Sequence, residues 1–193
     1  MNTKGKLIIL GSNSPRRKEL LAGLDIDFTV DTGNTFEEVY SPDTEHERIP
    51  EILSEGKSYG FHRSLDDNEI LITSDTLVLC ADHVMGKPHS REEAYDMLIL
   101  LSGREHKVIT AVTVRDNVKC ETVSDTAIVY FKDLTDEEIY YYIDTYKPYD
   151  KAGAYGIQEW IGYMGISKIE GSYFTIMGLP VHLVYQELIK FID

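Results

Sequence analysis

Apolar positions along the chain follow two spacings, and each spacing marks elements. Leu7 to Leu10 is a short unbroken apolar run and reads as a buried strand, followed by a loop of small residues, Gly11-Ser12-Asn13. Ser14 is a natural helix N-cap, with Pro15 at the first helical position, where its missing N–H costs nothing. Leu20, Leu21 and Leu24 give that helix one apolar face. Phe28–Val30 reads as a short strand, and an acidic, turn-rich stretch leads to a helix beginning near Pro50. Ile52, Leu53 and Phe61 are its apolar positions, and Gly56 and Gly60 interrupt it. Glu69 to Cys80 is the second strong strand, nearly all apolar and β-branched apart from Ser74, Asp75 and Thr76.

The second half mixes hairpins with single helices. Asp82-His83 is a turn that folds Val84 and Met85 back on the preceding strand. Ser90 and Glu93 form a capping box, and Ala94, Met97, Leu98 and Leu101 make the core stripe of a helix that stops at Gly103. Lys107–Val114 alternates as a strand, Asp116-Asn117 turns, and two further strands are expected at Val118–Val123 and Thr126–Phe131. Thr135 and Glu138 open another capped helix, running to about Tyr146. Lys147 to Gly165 is dense in glycine and aromatics, the composition of either a site loop or an irregular packing segment. Ile166–Ile169 is a short strand, and the C-terminal helix turns Leu183, Val184, Leu188 and Ile192 inward. One βα start followed by hairpin strands predicts an α/β fold with a mixed sheet, not a repeated parallel winding.

Composition narrows the class. A chain of 193 residues with 42% hydrophobic content suits one domain, or two small lobes around a cleft. A net charge of −14 argues against a nucleic-acid polymer as partner but allows a small anion held by a few local cations. Cys80 and Cys120 form no CxxC pair, which favours a reduced cytosolic setting. The first apolar run has only four residues, too few for a signal peptide, and no run reaches the length of a membrane span. The expectation is a soluble intracellular protein.

Two features carry candidate chemistry. Arg16 and Arg17, with Lys18 behind them, sit at a helix start that is already partly positive. Either they are solvated on an exposed first turn, or a bound polyanion relieves the repulsion, as at other strand–loop–helix phosphate sites. Asp75 lies mid-strand, where a carboxylate is expensive unless paired, hydrogen-bonded or metal-bound. Either it bonds neighbouring N–H groups or it belongs to a site. Conventional hydrolytic apparatus is missing: there is no GxSxG, and His46, His62, His83, His89, His106 and His182 show no zinc spacing. Carboxylates with cations remain, a combination suited to phosphoryl chemistry through a hard divalent metal.

The segment Ser12 to Leu21, SNSPRRKELL, resembles the opening motif of the Maf family of nucleoside triphosphate pyrophosphatases. Glu38 with Pro42, Ser74-Asp75-Thr76, Gly86-Lys87-Pro88, the LSG…H.V pattern of Leu101–Val108, KAGAYGIQ at Lys151–Gln158 and GSY…GLP at Gly171–Pro180 follow in the family's order. Two departures are visible: Gly11 stands where the family often has alanine, and Gly56 interrupts a usually more regular segment before Lys57. The resemblance implies a single Maf-like domain over residues 1–193, a mixed twisted sheet with flanking helices and two lobes around a central cleft. It implies hydrolysis to the monophosphate and pyrophosphate. Asp75 is then the proton acceptor, Glu38 and Asp75 hold Mg²⁺ or Mn²⁺, and Ser14, Arg16, Arg17, Lys57, Thr76, Lys87 and Gln158 bind substrate. Arg16, Thr76 and Gln158 occupy the positions that distinguish the dTTP/UTP branch, and Gln158 can both donate and accept, as a uracil or thymine edge requires. A cytoplasmic house-cleaning enzyme, with a homodimer as an open partner, is the expectation. The alternatives are an ITP/XTP pyrophosphatase and a non-catalytic nucleotide sensor of cell division.

Overall fold

The structure is a computed structural model that describes residues 2–192. In chain order the elements are β1 (Leu7–Leu10), α1 (Pro15–Ala22), β2 (Phe28–Val30), α2 (Ile49–Tyr59), β3 (Glu69–Cys80), β4 (His83–Met85), α3 (Arg91–Leu101), β5 (Glu105–Arg115) and β6 (Cys120–Phe131). Then follow α4 (Asp136–Tyr146), α5 (Trp160–Gly165), β7 (Ile166–Glu170), α6 (Tyr173–Met177) and α7 (Val181–Ile192). The strands form a 7-stranded mixed sheet in the order β2-β1-β3-β5-β6-β7, with β4 paired to β3. β1 is parallel to both neighbours, setting Ile8 opposite Phe28 and Ile70, while β4 and β7 run antiparallel to β3 and β6. The α/β class and mixed sheet expected from the sequence are the ones observed.

The chain divides into two compact units, and β3, β5 and β6 each have residues in both. The first comprises the residues up to Asp75, Thr110–Asp125, and those from Gly178 onward. Its buried core includes Ile8, Leu10, Leu21, Ile70, Ile72, Val112, Val184 and Leu188. Hydroxyls tie α2 to the strands: Thr73 Oγ1 donates to the Ser54 carbonyl (2.8 Å), and Ser54 Oγ lies 2.9 Å from Thr113 Oγ1. These bonds satisfy polar groups where water cannot reach, which offsets the cost of desolvating them.

The second unit comprises Thr76–Ile109 and Thr126–Met177. Ala94, Leu98, Leu101, Val129, Ile139 and Tyr142 are fully buried there. His106 packs between Phe131 and Tyr155, at centroid distances of 5.6 and 5.4 Å, with Nε2 2.8 Å from the Tyr155 hydroxyl. Burial pushes its pKa down from 6.5 to about 4. Above pH 6.5 the ring is neutral in both folded and unfolded chains and contributes no pH dependence. Between 6.5 and about 4 only the unfolded chain takes up the proton, so stability is lost as pH falls. The loss expected from this one group is about 3 kcal/mol across that window. Urea unfolding of the parent and of His106→Asn over that range measures it; equal pH slopes in the two would refute the assignment.

Several local expectations are corrected. Gly56 does not interrupt α2, which runs through it; glycine stands there because a Cβ would lie 2.3 Å from Cζ of Phe36, whose ring occupies that space. The buried apolar residues of α2 are Ile49 and Leu53, whereas Ile52 is exposed. Phe61 lies beyond the helix, in a bridge with Asn34, and is buried with Ile9, Leu65 and Leu71. Leu7 is exposed at the start of β1, and Leu24 lies outside α1, which ends at Ala22. The two strands expected at Val118–Val123 and Thr126–Phe131 are one strand, β6, which starts only at Cys120; Val118 N and Lys119 N donate to Asp116 Oδ1 in the preceding turn, and backbone pairing is indifferent to the polar side chains of Ser124 and Asp125. Ser90 caps α3 through Glu93 N (3.0 Å), but the Glu93 carboxylate accepts from His89 N instead of closing a box.

Candidate active site

In the first unit, the loop after β1 is shaped by serines. Ser14 Oγ accepts from Arg17 N (3.5 Å), fulfilling its role as N-cap of α1 with Pro15 behind it. Buried Ser12 accepts from Ser14 N (3.3 Å) and from the Arg17 guanidinium (3.5 Å). The first turn of α1 carries no acidic residue to offset Arg16 and Arg17, so that end of the helix keeps an excess of positive charge. Arg17 turns inward, its Nε donating to the Gly178 carbonyl at 2.8 Å. Ser74 Oγ donates to the same oxygen at 3.2 Å. Gly178 has φ +108°, a conformation in which a side chain is strained, which explains a glycine before Leu179-Pro180. Burial pushes the Arg17 guanidinium below its ordinary pKa and Arg16 adds to this, while Asp75 and Glu38 oppose it. A guanidinium stays protonated under such a shift, so a positive charge is held there partly desolvated.

Asp75 ends the first unit's share of β3, its side chain only 13% exposed. Lys57, on α2, places Nζ 2.5 Å from Asp75 Oδ1 and 2.8 Å from Glu38 Oε1. One ammonium therefore holds two carboxylates together. The Ser54–Thr73 bonds set this geometry, because they fix α2 against β3 near Lys57. Glu38, on the loop between β2 and α2, is the most exposed of the three at 59%. Among the described residues no group of three or more His, Cys, Asp and Glu side chains is placed to hold a metal ion. Two hard carboxylates do fit Mg²⁺ or Mn²⁺, which commonly take one or two protein oxygens and leave the remaining positions to phosphate and water.

The other candidates lie in the second unit. Thr76 continues β3 and is half-buried. Lys87 is exposed and follows Gly86, whose carbonyl accepts from Gly153 N at 3.1 Å. That bond ties the β3–β4 hairpin to the Lys151–Gln158 segment. Gly153 has φ +68°, and a Cβ there would press on Val78 at 3.1 Å. Gln158 is half-buried, and its Oε1 is inaccessible to water and without a hydrogen-bond partner.

The structure thus brings Ser14, Arg17, Glu38, Lys57 and Asp75 into the first unit, where Lys57 joins the two carboxylates and Ser14 caps the helix that carries Arg17. Arg16 shares that helix start. Thr76, Lys87 and Gln158 stand in the second unit. Sequence reasoning missed Ser12 and Ser74 as partners of Arg17 and of the Gly178 carbonyl. Ser12 showed only as a small polar residue after the apolar run of β1, and Ser74 only as a polar break within β3 and a member of the Ser74-Asp75-Thr76 motif.

A family model described as "Maf-like protein" matches residues 7–191. The chain is 50% identical over 190 residues to a Parabacteroides distasonis protein named dTTP/UTP pyrophosphatase, covering 98% of each chain. It is 47% identical over 192 residues to a Porphyromonas gingivalis protein of the same name, covering 98% of this chain and 96% of that one. A Flavobacterium johnsoniae protein, again so named, is 47% identical over 181 residues, covering 94% and 93%. Among solved structures, a HAM1 protein from Coxiella burnetii covers 65% of this chain and 73% of its own at a TM-score of 0.41 and 13% identity, too slight a likeness to bear on function.

Proposed function

The chain belongs to the Maf-like protein family, and from that premise we propose that it hydrolyses dTTP and UTP to the monophosphate and pyrophosphate. The observation that carries this reading is Lys57 held between Asp75 and Glu38, with the Arg17 guanidinium close enough to feel both carboxylates. Asp75 takes a proton from water as the water oxygen bonds to the α-phosphorus. The bond from that phosphorus to the oxygen bridging to the β-phosphorus breaks, and pyrophosphate leaves with the electron pair. Lys57 orients the Asp75 carboxylate toward the water. Arg16, Arg17 and the N–H groups at the start of α1, shaped by Ser14, bind phosphate oxygens, and Lys87 is assigned the same task. Thr76 and Gln158 are assigned to the base. Mg²⁺ or Mn²⁺, when held by Glu38 and Asp75, supplies neutralising charge to the phosphoryl oxygens.

A substrate panel of dTTP, UTP, dCTP, ITP and XTP, each with Mg²⁺, with Mn²⁺ and with chelator, tests this through pyrophosphate release. The expected result is a preference of about tenfold or more in kcat/KM for dTTP and UTP, and loss of turnover in chelator. Preference for ITP or XTP would transfer the protein to the purine house-cleaning class. Binding of dTTP without release would make it a sensor. The same resemblance supports a cytoplasmic enzyme and a homodimer. No helix among the described residues is long and apolar enough to cross a membrane.

A further inference from the structure

We propose that Tyr142, Glu159 and Lys151 form a buried clamp that positions Gln158 and so sets selectivity for the pyrimidine base; all three are positioning residues. This rests on the reading of Gln158 as the residue that meets the base. Tyr142, on α4, is fully buried. Its hydroxyl donates to Glu159 Oε2 and accepts from Gly156 N at 3.0 Å. Glu159 Oε1 lies 3.1 Å from Nζ of Lys151, itself buried and 2.7 Å from Asp150 Oδ1. Glu159 N donates to the Gly156 carbonyl at 3.0 Å, closing the turn that contains Gln158. A Cβ on Gly156 would stand 3.1 Å from Gln158 Nε2 and 3.0 Å from Glu159 Cδ, so the Gln158 amide is packed directly on that backbone.

Every polar group of the clamp has a partner, yet the amide oxygen of Gln158 has none. An unpaired buried acceptor is costly, so Gln158 is held there by the turn and not by bonds of its own. With no bond of its own to break, the amide can turn this oxygen toward a ligand N–H, which relieves the cost. Uracil and thymine present an N–H flanked by carbonyls, which matches the acceptor and donors of an amide; cytosine presents an unprotonated nitrogen beside an amino group and reverses the pattern. Burial, followed by the hydrogen bond and charge of Glu159, raises the Tyr142 pKa, so its hydroxyl remains a donor. Burying an ammonium beside a carboxylate is a poor way to gain stability, since apolar packing does as well. What the clamp adds is a fixed turn geometry.

The test compares kcat/KM for dTTP, UTP and dCTP in the full-length protein and in Tyr142→Phe, with Glu159→Gln as the second variant should the first not fold. The clamp predicts a fall of about tenfold in the dTTP-to-dCTP ratio, carried by KM for dTTP, with kcat within a factor of about 3. A partly unfolded sample lowers both activities together and leaves that ratio unmoved. Adding Gln158→Ala to Tyr142→Phe is expected to lower the ratio no further, because both changes remove one interaction. A variant that melts with the parent's cooperativity and midpoint and still keeps the parental ratio refutes the clamp alone. A parent protein with no preference for dTTP over dCTP refutes the reading of Gln158, and the clamp with it.

Discussion

Asp75→Asn is expected to reduce kcat for dTTP by about 10²–10⁴-fold, the range that a positioned general base supplies. The substitution keeps the shape of the side chain and an oxygen for the Lys57 ammonium, which approaches Asp75 Oδ1 to 2.5 Å. It removes the one property the reaction needs there, the capacity to take a proton from water. The fold is expected to survive, since the side chain borders solvent and Lys57 keeps Glu38 at 2.8 Å. Thermal melting and pyrophosphate release on the same preparation measure both halves of the expectation. An Asp75→Asn enzyme that retains more than a tenth of the parental kcat would remove Asp75 from its proposed role.

The largest stability effect is expected from Gly162→Ala. Gly162 lies in the first turn of α5, and a Cβ built there would fall 1.8 Å from the Ile157 carbonyl oxygen and 2.5 Å from its carbon. The obstacle is backbone, so no side-chain rotation relieves it. Ile157 is 6% exposed and adjoins Gln158, which leaves the segment little freedom to yield. Overpacking of this kind is expected to cost about 3 kcal/mol. Gly86→Ala is the control, because a Cβ there meets nothing within 4 Å, and it is expected to stay within about 0.5 kcal/mol of the parent. Denaturant midpoints for the two variants check the contrast, and equal midpoints would dismiss close backbone approach as the reason for glycine at 162.

Elements with local causes were readable from the chain. Ser14 with Pro15 starts α1, and the Thr135–Glu138 box closes at the start of α4 as expected. The Ala94, Leu98 and Leu101 stripe of α3 is buried, and the apolar run Glu69–Cys80 is one strand, β3. Each depends on residues a few positions apart, whose geometry the helix or strand period imposes. Distant partners reversed other readings. Gly56 looked like a helix breaker because the ring of Phe36, which needs its missing Cβ, arrives from another segment. Tyr142 reads as one more core residue of α4 between Ile139 and Ile143, and only its tertiary contacts disclose the bond to Glu159.

The order of amino acids by itself determined the kinds of chemistry available: cations at a helix start, a carboxylate inside a strand, and the family motifs around them. It did not determine which charge meets which. Lys57 and Asp75 are separated by 18 positions, and the chain alone does not say that one ammonium also serves Glu38. Electrostatic interaction depends on distance and burial in space. Only the packing of α2 against β3 decides both.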